Sequence, residues 1–231
     1  THRVSTSKKT GTGVSLGHKS TFNMYGGSIT DNRNGTGGGV SRSSNSEYGN
    51  NKFNMYGGSI TNNVADNGYG DGGGGVHNLF GTFTMYGGSI TKNNANEARN
   101  GGGGVYLARW GTFIMKGGSI TDNTAKNGGG VYVNSTGLTV SGDVKITGCR
   151  AEGLETEALY TNIGGTIDGG TFDGSVWSHS TITGGTFNGE VINSNTITGG
   201  TFKGKVTNGG PISGGMFYGG ITEGGVIRGC T

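Results

Sequence analysis

Residues 113–123 read Phe-Ile-Met-Lys-Gly-Gly-Ser-Ile-Thr-Asp-Asn, and three near copies of this stretch precede it, at 22–32, 53–63 and 83–93. A unit that recurs at a nearly regular period is typical of repeat architectures, in which each unit packs only against its neighbours. The order of residues within this unit therefore predicts the fold of the chain.

The overall composition bounds the classes of protein to consider. The 231 residues include 55 glycines and one proline, and only 29% are hydrophobic. Without a period, such a composition indicates disorder, but these glycines recur at fixed offsets from apolar residues and are interpreted as corners between strands. The net charge of +3, without a basic run carrying interleaved aromatic residues, argues against a nucleic-acid partner. No stretch approaches the roughly 18 apolar residues of a membrane span, so we expect no membrane insertion.

Each long repeat has three short apolar groups: a valine after Gly-Gly, a Phe-x-Met pair, and the isoleucine of Ser-Ile-Thr. The valines are Val14, Val40, Val76, Val105 and Val131; the pairs are Phe22/Met24, Phe53/Met55, Phe83/Met85 and Phe113/Met115, with Leu138/Val140 as a degenerate copy; the isoleucines are Ile29, Ile60, Ile90, Ile120 and Ile146. Side chains two apart on a strand point to the same face. Three strands too short to stand alone predict stacked coils, and so an all-β parallel solenoid with three faces.

From residue 163 the period contracts to 15 residues. Three columns carry this period: Ile167, Ile182, Ile197, Ile212 and Ile227; Phe172, Phe187, Phe202 and Phe217; and Val176, Val191, Val206 and Ile221. The Gly-Gly corner aligns Met24 to Ile29 with Ile182 to Phe187, so the same solenoid is predicted to continue.

We therefore predict one continuous domain over 1–231. It has long coils of 26–36 residues at 11–150, a helix-prone transition loop at 151–162, and short coils at 163–231. About ten coils give a rod about 45–50 Å long, and the chirality of parallel crossovers predicts right-handed winding. Extra residues at 41–51, 64–75 and 94–104 are interpreted as insertion loops. We expect the chain to be a monomeric fragment of a longer protein.

An asparagine recurs three residues after each isoleucine, at Asn32, Asn63, Asn93 and Asn123, and Cys149 takes this place in the next coil. Asparagines stacked at the strand spacing of about 4.8 Å can bond each other and the turn backbone. We interpret them as a structural ladder inside the turn. Cys149 and Cys230 are interpreted as small buried fillers.

The quoted unit, followed by Gly-Gly-Gly-Val-Tyr-Val at 128–133, resembles pectin-lyase-like parallel β-helix repeats found in large cell-surface proteins of Gram-positive bacteria, and it is also similar to adhesin passenger repeats. The resemblance covers 11–150 well, and 163–231 follows in register only. It implies a right-handed β-helix, a secreted or cell-surface location, and an adhesive or carbohydrate-directed role. It brings no catalytic residue, because the matching motif is the structural repeat.

The charged residues give little indication of an enzyme. Asp168 and Asp173 flank one Gly-Gly corner, but they point from different faces and face Thr183 and Asn188 on the next coil, so the paired carboxylates of a glycosidase are not visible. Glu190 is predicted to form a cross-coil ion pair with Lys205. We expect no catalytic residue and no cofactor.

A calcium site is one interpretation of residues 66–71, where acidic and amide oxygens are close in sequence. The spacing does not match an EF-hand loop. A flexible insertion loop without metal is the favoured interpretation of this stretch.

The surface feature that most favours binding is aromatic. Tyr25, Tyr56 and Tyr86 occupy one outward column, followed by Lys116, beside Asn23, Asn54 and Thr84. Such a strip can stack on sugar rings while the polar neighbours supply hydrogen bonds; the alternative is that like-on-like stacking only stabilises adjacent strands. Phe80 and Trp110 align in the next column and either extend the apolar patch or pack over a corner.

Threonine columns leave a third functional alternative. Thr30, Thr61, Thr91, Thr121 and Thr147 line up outward and resemble the flat arrays of insect ice-binding proteins, although charged residues interrupt the array and threonine is favoured on strands in any case. The sequence best fits a rigid stalk or adhesive module whose partners are glycans or cell-surface proteins. A carbohydrate-binding or polysaccharide-cleaving domain is the alternative.

Overall fold

A computed structural model describes residues 4–5, 11–42, 51–66, 68, 70–153, 156–222 and 225–229. These residues form a single all-β parallel solenoid of the right-handed type, as predicted. They contain no helix, and hence none that is long and apolar enough to cross a membrane. Cys230 lies outside the described residues.

The long coils contain the first nineteen strands. They are β1 (Val4–Ser5), β2 (Val14–Leu16), β3 (Thr21–Met24), β4 (Ser28–Thr30), β5 (Arg33–Asn34), β6 (Val40–Arg42), β7 (Lys52–Met55), β8 (Ser59–Thr61), β9 (Val64–Ala65), β10 (Gly72–Gly73), β11 (Val76–Met85), β12 (Ser89–Thr91), β13 (Asn94–Ala95), β14 (Gly101–Gly102), β15 (Val105–Thr121), β16 (Thr124–Ala125), β17 (Val131–Val133), β18 (Gly137–Thr147) and β19 (Arg150–Ala151).

The remaining strands belong to the short coils and the approach to them. They are β20 (Glu157–Thr161), β21 (Thr166–Asp173), β22 (Ser175–Ser178), β23 (Thr181–Phe187), β24 (Val191–Asn193), β25 (Thr201–Phe202), β26 (Val206–Asn208), β27 (Met216–Phe217) and β28 (Ile221–Thr222). The predicted transition loop is wrong in part, because β20 falls inside 151–162. Leu159 there pairs with Val131 on one side and Val176 on the other, so it continues the valine column. No helical segment occurs among the described residues of this stretch.

The three predicted columns of the long coils are confirmed by the strand register. Val40 pairs with Val76, Met55 with Met85, and Ile60 with Ile90, each in parallel. The predicted continuation into the short coils is also confirmed, since Val140 pairs with Ile167 and Ile146 pairs with Phe172. Methionine in a long coil is thus replaced by isoleucine in a short coil, and isoleucine by phenylalanine, without a break in the core.

The long coils have a fourth edge that the sequence analysis did not predict. A five-stranded parallel sheet, composed of β5, β9, β13, β16 and β19, follows the asparagine turn. A separate small cluster of buried alanines, three from this sheet and Ala98 from the segment between β13 and β14, lies beside it: Ala65, Ala95, Ala98 and Ala125. The stretches 64–75 and 94–104 are therefore not simple loops, because each contains two short strands.

The predicted number of about ten coils needs the same correction. Among the described residues, five coils have the complete four-edged outline, as the five-stranded sheet shows. Beyond Thr156 the reduced coils continue the three apolar columns only. The fourth edge is lost there because a 15-residue coil has too few residues to form it.

The core is a set of stacked rings and aliphatic side chains. Phe53 lies 4.6 Å from Phe83, and Phe83 lies 4.8 Å from Phe113, measured between ring centroids. Burying each large side chain contributes about 1.5–3 kcal/mol before the entropy of ordering is counted. Repetition of the same side chain at each level therefore produces close packing and a fixed register.

The turn that precedes each ladder asparagine has left-handed backbone. The residues with positive φ at this corner are Asp31, Asn62, Lys92 and Asp122, with φ of 54–59°, and Gly148 with φ of 64° in the next coil. This conformation turns the chain so that the following asparagine side chain points inward. It is strained for residues with a Cβ other than Asn and Asp.

Candidate functional site

The tyrosine column exists as predicted and is open to solvent. Ring centroids of Tyr25 and Tyr56 are 4.9 Å apart at an interplanar angle of 6°, and those of Tyr56 and Tyr86 are 4.8 Å apart at 2°. Nζ of Lys116 lies 5.5 Å from the centroid of the Tyr86 ring. We call these three tyrosines the tyrosine strip.

Local backbone geometry explains why the strip is so regular. Each tyrosine follows a buried methionine and therefore points outward. A glycine follows each tyrosine, and a Cβ at Gly87 would lie 2.8 Å from the carbonyl oxygen of Tyr56. Only glycine allows this close approach of successive coils, so the Gly-Gly corner fixes both the spacing and the direction of the rings.

Exposure is uneven along the strip. The exposed fraction is 73% for Tyr25 but 43% for Tyr56 and 44% for Tyr86. Parallel rings at this spacing form an offset stack, so each inner ring has part of its face covered by a neighbour. Among the described residues no ring stacks on the far side of Tyr25. The strip therefore presents one open ring face at Tyr25 and a row of ring edges and hydroxyl groups, rather than the uniformly flat platform expected from the sequence.

The polar neighbours of the strip agree only partly with the prediction. Asn54 donates a hydrogen bond from Nδ2 to Oδ1 of Asn23 at 2.8 Å, and both amides remain accessible. Thr84 is buried, in register between Asn54 and Ile114, so its predicted role as a hydrogen-bond donor to a ligand is wrong.

Trp110 is not part of the strip. Its ring stacks on that of Phe80 with centroids 5.1 Å apart and 3° between planes, as the alignment predicts. The indole is 64% exposed and instead lines a cavity on the outer side of the strands that carry the valine column, which we call the valine wall.

That cavity, of about 520 Å³, is a candidate site that sequence reasoning missed. Its lining residues are Gly70, Asp71, Leu79, Arg99, Asn100, Tyr106, Ala108, Trp110 and Asn134. Tyr106 donates a hydrogen bond to Oδ2 of Asp71 at 2.6 Å, and Nδ2 of Asn100 donates to Oδ1 of Asp71 at 2.8 Å. The one sequence signal for this cavity is the recurrence of aromatic residues at the position after several valines of the valine column. That recurrence does not show that the insertions fold over these residues.

The aromatic column behind the cavity is mostly buried. His77 stacks on Tyr106 at 5.3 Å, Tyr106 on Tyr132 at 5.4 Å, and Tyr132 on Tyr160 at 5.1 Å. Burial raises the pKa of Tyr106 and, to about 12, that of Tyr132. Burial lowers the pKa of His77 to about 4, although the Asp71 carboxylate acts in the opposite direction. His77, Tyr106 and Tyr132 are therefore neutral near pH 7 and support the cavity floor.

Asp168 and Asp173, the two acids considered as a catalytic pair, have separate neutral partners. Oδ1 of Asp168 accepts a hydrogen bond from Oγ1 of Thr183 at 2.7 Å, and Asp173 accepts one from Nδ2 of Asn188. The predicted pair of Glu190 and Lys205 is wrong, since the ion pairs within the described ranges are limited to Arg33 with Asp66. Holding two long exposed side chains together costs entropy that a surface pair barely offsets.

The two aspartates of the candidate calcium loop have other partners. Asp66 pairs with Nε of Arg33 at 2.6 Å, whereas Asp71 accepts from Tyr106 and Asn100. No group of three or more potential metal-ligating side chains occurs in the part of the chain that the structure describes. Asn67 and Tyr69 lie outside the described residues.

The asparagine ladder and its cysteine are confirmed. Asn32 donates to Oδ1 of Asn63 at 2.8 Å, and the same bond repeats up the column. Cys149 is fully buried with a free thiol, and burial raises its pKa to about 11.

The threonine column is in register, with Oγ1 of Thr121 donating to Oγ1 of Thr91 at 3.2 Å. This column and the asparagine ladder both stabilise coil stacking.

Comparison with known proteins adds no relative. No family model, curated protein or solved structure matches this chain significantly.

Proposed function

We propose that this solenoid is a rigid adhesive module of a secreted or cell-surface bacterial protein, and that the tyrosine strip is its contact surface. The observation that carries the proposal is the strip itself: three parallel tyrosines, all exposed, are held at the coil spacing and closed on one side by Lys116. Tyrosine is enriched in binding surfaces because its ring supplies contact area and its hydroxyl a hydrogen bond.

The rest of the fold supports a role as a stiff support. Parallel ladders run through all three apolar columns, and the asparagine ladder ties the turns of successive coils together. A strip built on such strands loses little conformational entropy when it binds a partner. The resemblance of 113–123 and 128–133 to pectin-lyase-like and adhesin repeats of bacterial surface proteins points to the same setting.

A second candidate, carbohydrate binding, is favoured by the open face of Tyr25 together with the accessible amides of Asn23 and Asn54. An aromatic face takes the apolar side of a sugar ring, and amides next to it bond the hydroxyl groups. Cleavage of polysaccharide receives no support, because Asp168 and Asp173 are separately bonded to neutral partners.

Attachment of protein-coated beads to cultured cell layers tests both candidates. The wild-type chain is compared with a Tyr25→Ala/Tyr56→Ala/Tyr86→Ala variant and with the corresponding triple Tyr→Phe variant, after circular dichroism shows that all are folded. We expect the alanine variant to lose attachment. The phenylalanine variant shows whether the hydroxyl groups are needed in addition to the rings.

Treatment of the cell layer separates the two candidates. If glycosidases abolish attachment, the partner is a glycan; if only proteases do, it is a surface protein. Failure of the folded wild-type chain to attach to any layer, or equal attachment by the alanine variant, would refute the adhesive role of the strip. Binding to a panel of immobilised glycans then identifies the sugar class.

A further inference from the structure

The cavity over the valine wall is built from two different parts of the chain. Its floor is the outward side of β15, with Tyr106 and Ala108, and its side is the pair of insertions that carry Asp71 and Asn100. Trp110 stands at its edge. A volume of about 520 Å³ lies within the range of about 300–1,000 Å³ that is usual for small-molecule sites.

Hydrogen bonds hold the two insertions against each other. The backbone N–H of Arg99 donates to the carbonyl of Gly70 at 2.9 Å, and that of Gly72 donates to the carbonyl of Asn100 at 3.0 Å. Strands β10 and β14 pair in parallel just beyond this point. The wall of the cavity is thus preformed, which lowers the entropic cost of binding a ligand.

The Asp71 carboxylate is oriented from both sides. Tyr106, whose side chain is almost completely buried, donates to one oxygen, and Asn100 donates to the other. Each carboxylate oxygen can accept more than one hydrogen bond, so acceptor capacity remains for a ligand. The two hydrogen bonds fix the orientation of the Asp71 carboxylate, and so the direction in which its free lone pairs point.

The complementary donor is Arg99. It is exposed, lines the same cavity, and its guanidinium has no ion-pair or hydrogen-bond partner among residues that the structure describes. One carboxylate and one guanidinium give the cavity no net charge. A ligand with its own charge gains from one of these groups and is repelled by the other, whereas a neutral ligand rich in hydroxyl groups can bond both.

Trp110 supplies the apolar surface that such a ligand needs. One face of the indole lies on Phe80, and no ring stacks on the other face in the described part of the next coil. The CH groups of a sugar ring pack on an aromatic face while its hydroxyl groups bond to polar neighbours. We propose that this cavity binds a neutral sugar unit of a glycan, with Trp110 as the stacking platform, Asp71 as acceptor and Arg99 as donor. The site is separate from the tyrosine strip and does not depend on its function.

Tryptophan fluorescence provides a direct test, since the chain has only two tryptophans. A Trp177→Phe background leaves Trp110 as the sole reporter. This protein is titrated with oligosaccharides of glucan, mannan, galactan and xylan, and with oligogalacturonate as the charged counterpart. We expect a saturable change in Trp110 emission with at least one neutral oligosaccharide and a weaker or absent response to oligogalacturonate.

Two variants in the same background show which residues bind. Asp71→Asn keeps the shape but removes the charge, and it should weaken binding at least about tenfold, as expected when charge-assisted hydrogen bonds are replaced by neutral ones. Asp66→Asn is the matched control: the same chemical change close in sequence, at a carboxylate that pairs with Arg33 and does not line the cavity. It should bind as the background protein does.

A third variant separates this site from the tyrosine strip. Tyr25→Ala/Tyr56→Ala/Tyr86→Ala should retain the Trp110 response even if it abolishes cell attachment. No saturable response to any neutral oligosaccharide, a stronger response to oligogalacturonate, or equal weakening by Asp66→Asn and Asp71→Asn would overturn the proposal.

Discussion

The side-chain amide of Asn63 donates a hydrogen bond to Oδ1 of Asn93 in the next coil at 3.0 Å, and the same oxygen accepts the backbone N–H of Asn63 at 3.0 Å. Nδ2 of Asn63 also donates towards the carbonyl oxygens of Ile29 at 2.9 Å and Thr61 at 3.0 Å, so its two hydrogens are shared among three acceptors. Both asparagines are buried. One side chain thus joins three successive coils, in surroundings where an unpaired polar group would be costly.

Asn63→Ala is expected to destabilise the solenoid by about 3–4 kcal/mol, because it leaves several buried donors and acceptors without partners. Urea unfolding followed by circular dichroism measures the loss. Asn54→Ala is the matched control, since it removes the same amide from the surface, where Asn54 makes one bond to Asn23. That change should cost less than about 1 kcal/mol. Equal losses of unfolding free energy in the two variants would show that the buried ladder asparagine stabilises the fold no more than the surface asparagine does.

Stability should fall between pH 6.5 and pH 4 because of His77. Its pKa is lowered to about 4 in the folded protein by burial, and Nδ1 has no hydrogen-bond partner among the residues that the structure describes. The unfolded chain, with a pKa near 6.5, therefore binds a proton that the folded chain does not, so stability is full above pH 6.5 and is lost as the pH falls. The total effect is on the order of 3 kcal/mol.

Comparison with His77→Phe isolates this effect in urea unfolding at pH 7.5 and pH 5. The pKa of Glu157 is raised by burial, which gives a pH dependence of opposite sign, but that contribution is common to both proteins and cancels in the difference. The variant retains an aromatic ring to stack on Tyr106. If it loses as much stability as the wild type between the two pH values, His77 is not the cause.

Lys92→Asn should stabilise the protein by about 0.5–1 kcal/mol. Lys92 has φ of 55°, a conformation that asparagine tolerates better than lysine, and Asn62 already occupies the equivalent corner with φ of 55°. The midpoint of urea unfolding measures the gain. Lys145→Asn makes the same change at an exposed strand position with ordinary backbone. It should give no gain, and an equal gain there would rule out backbone strain as the reason.

Lys116→Tyr should extend the strip by one ring and stabilise the protein by about 0.5–1 kcal/mol. The reason is that stacking of the new ring on Tyr86 replaces the cation–π contact of Lys116, whose Nζ lies 5.5 Å from the centroid of the Tyr86 ring. Lys116→Met, which keeps an unbranched chain without the ring or the charge, is the control and should not be more stable than wild type. The open face of Tyr25 lies at the other end of the strip. Cell attachment by the Lys116→Tyr variant should therefore stay within about twofold of wild type, and its loss would place the contact near Tyr86.

The sequence by itself determined the repeating core. The recurrence of Met24, Ile29 and their counterparts specifies which side chains point inward, since side-chain direction alternates along a strand and coils stack like on like. The same alternation placed the tyrosines outside, whereas the recurrence of Asn63 and its counterparts three residues after each isoleucine indicated a ladder inside the turn. It also carried the register across the change of period, from Val140 to Ile167.

Only the tertiary structure decided where the insertions fold. The stretches 64–75 and 94–104 have no strong periodicity, so their pairing as β9 with β13 and β10 with β14 follows from the coils that they adjoin. Asp71 and Tyr106 are 35 residues apart in sequence. They form a hydrogen bond because that pairing places the insertion over the valine wall. Contacts between a variable segment and a regular one depend on chain path rather than on local pattern, and for that reason the cavity beside Trp110 was not predicted.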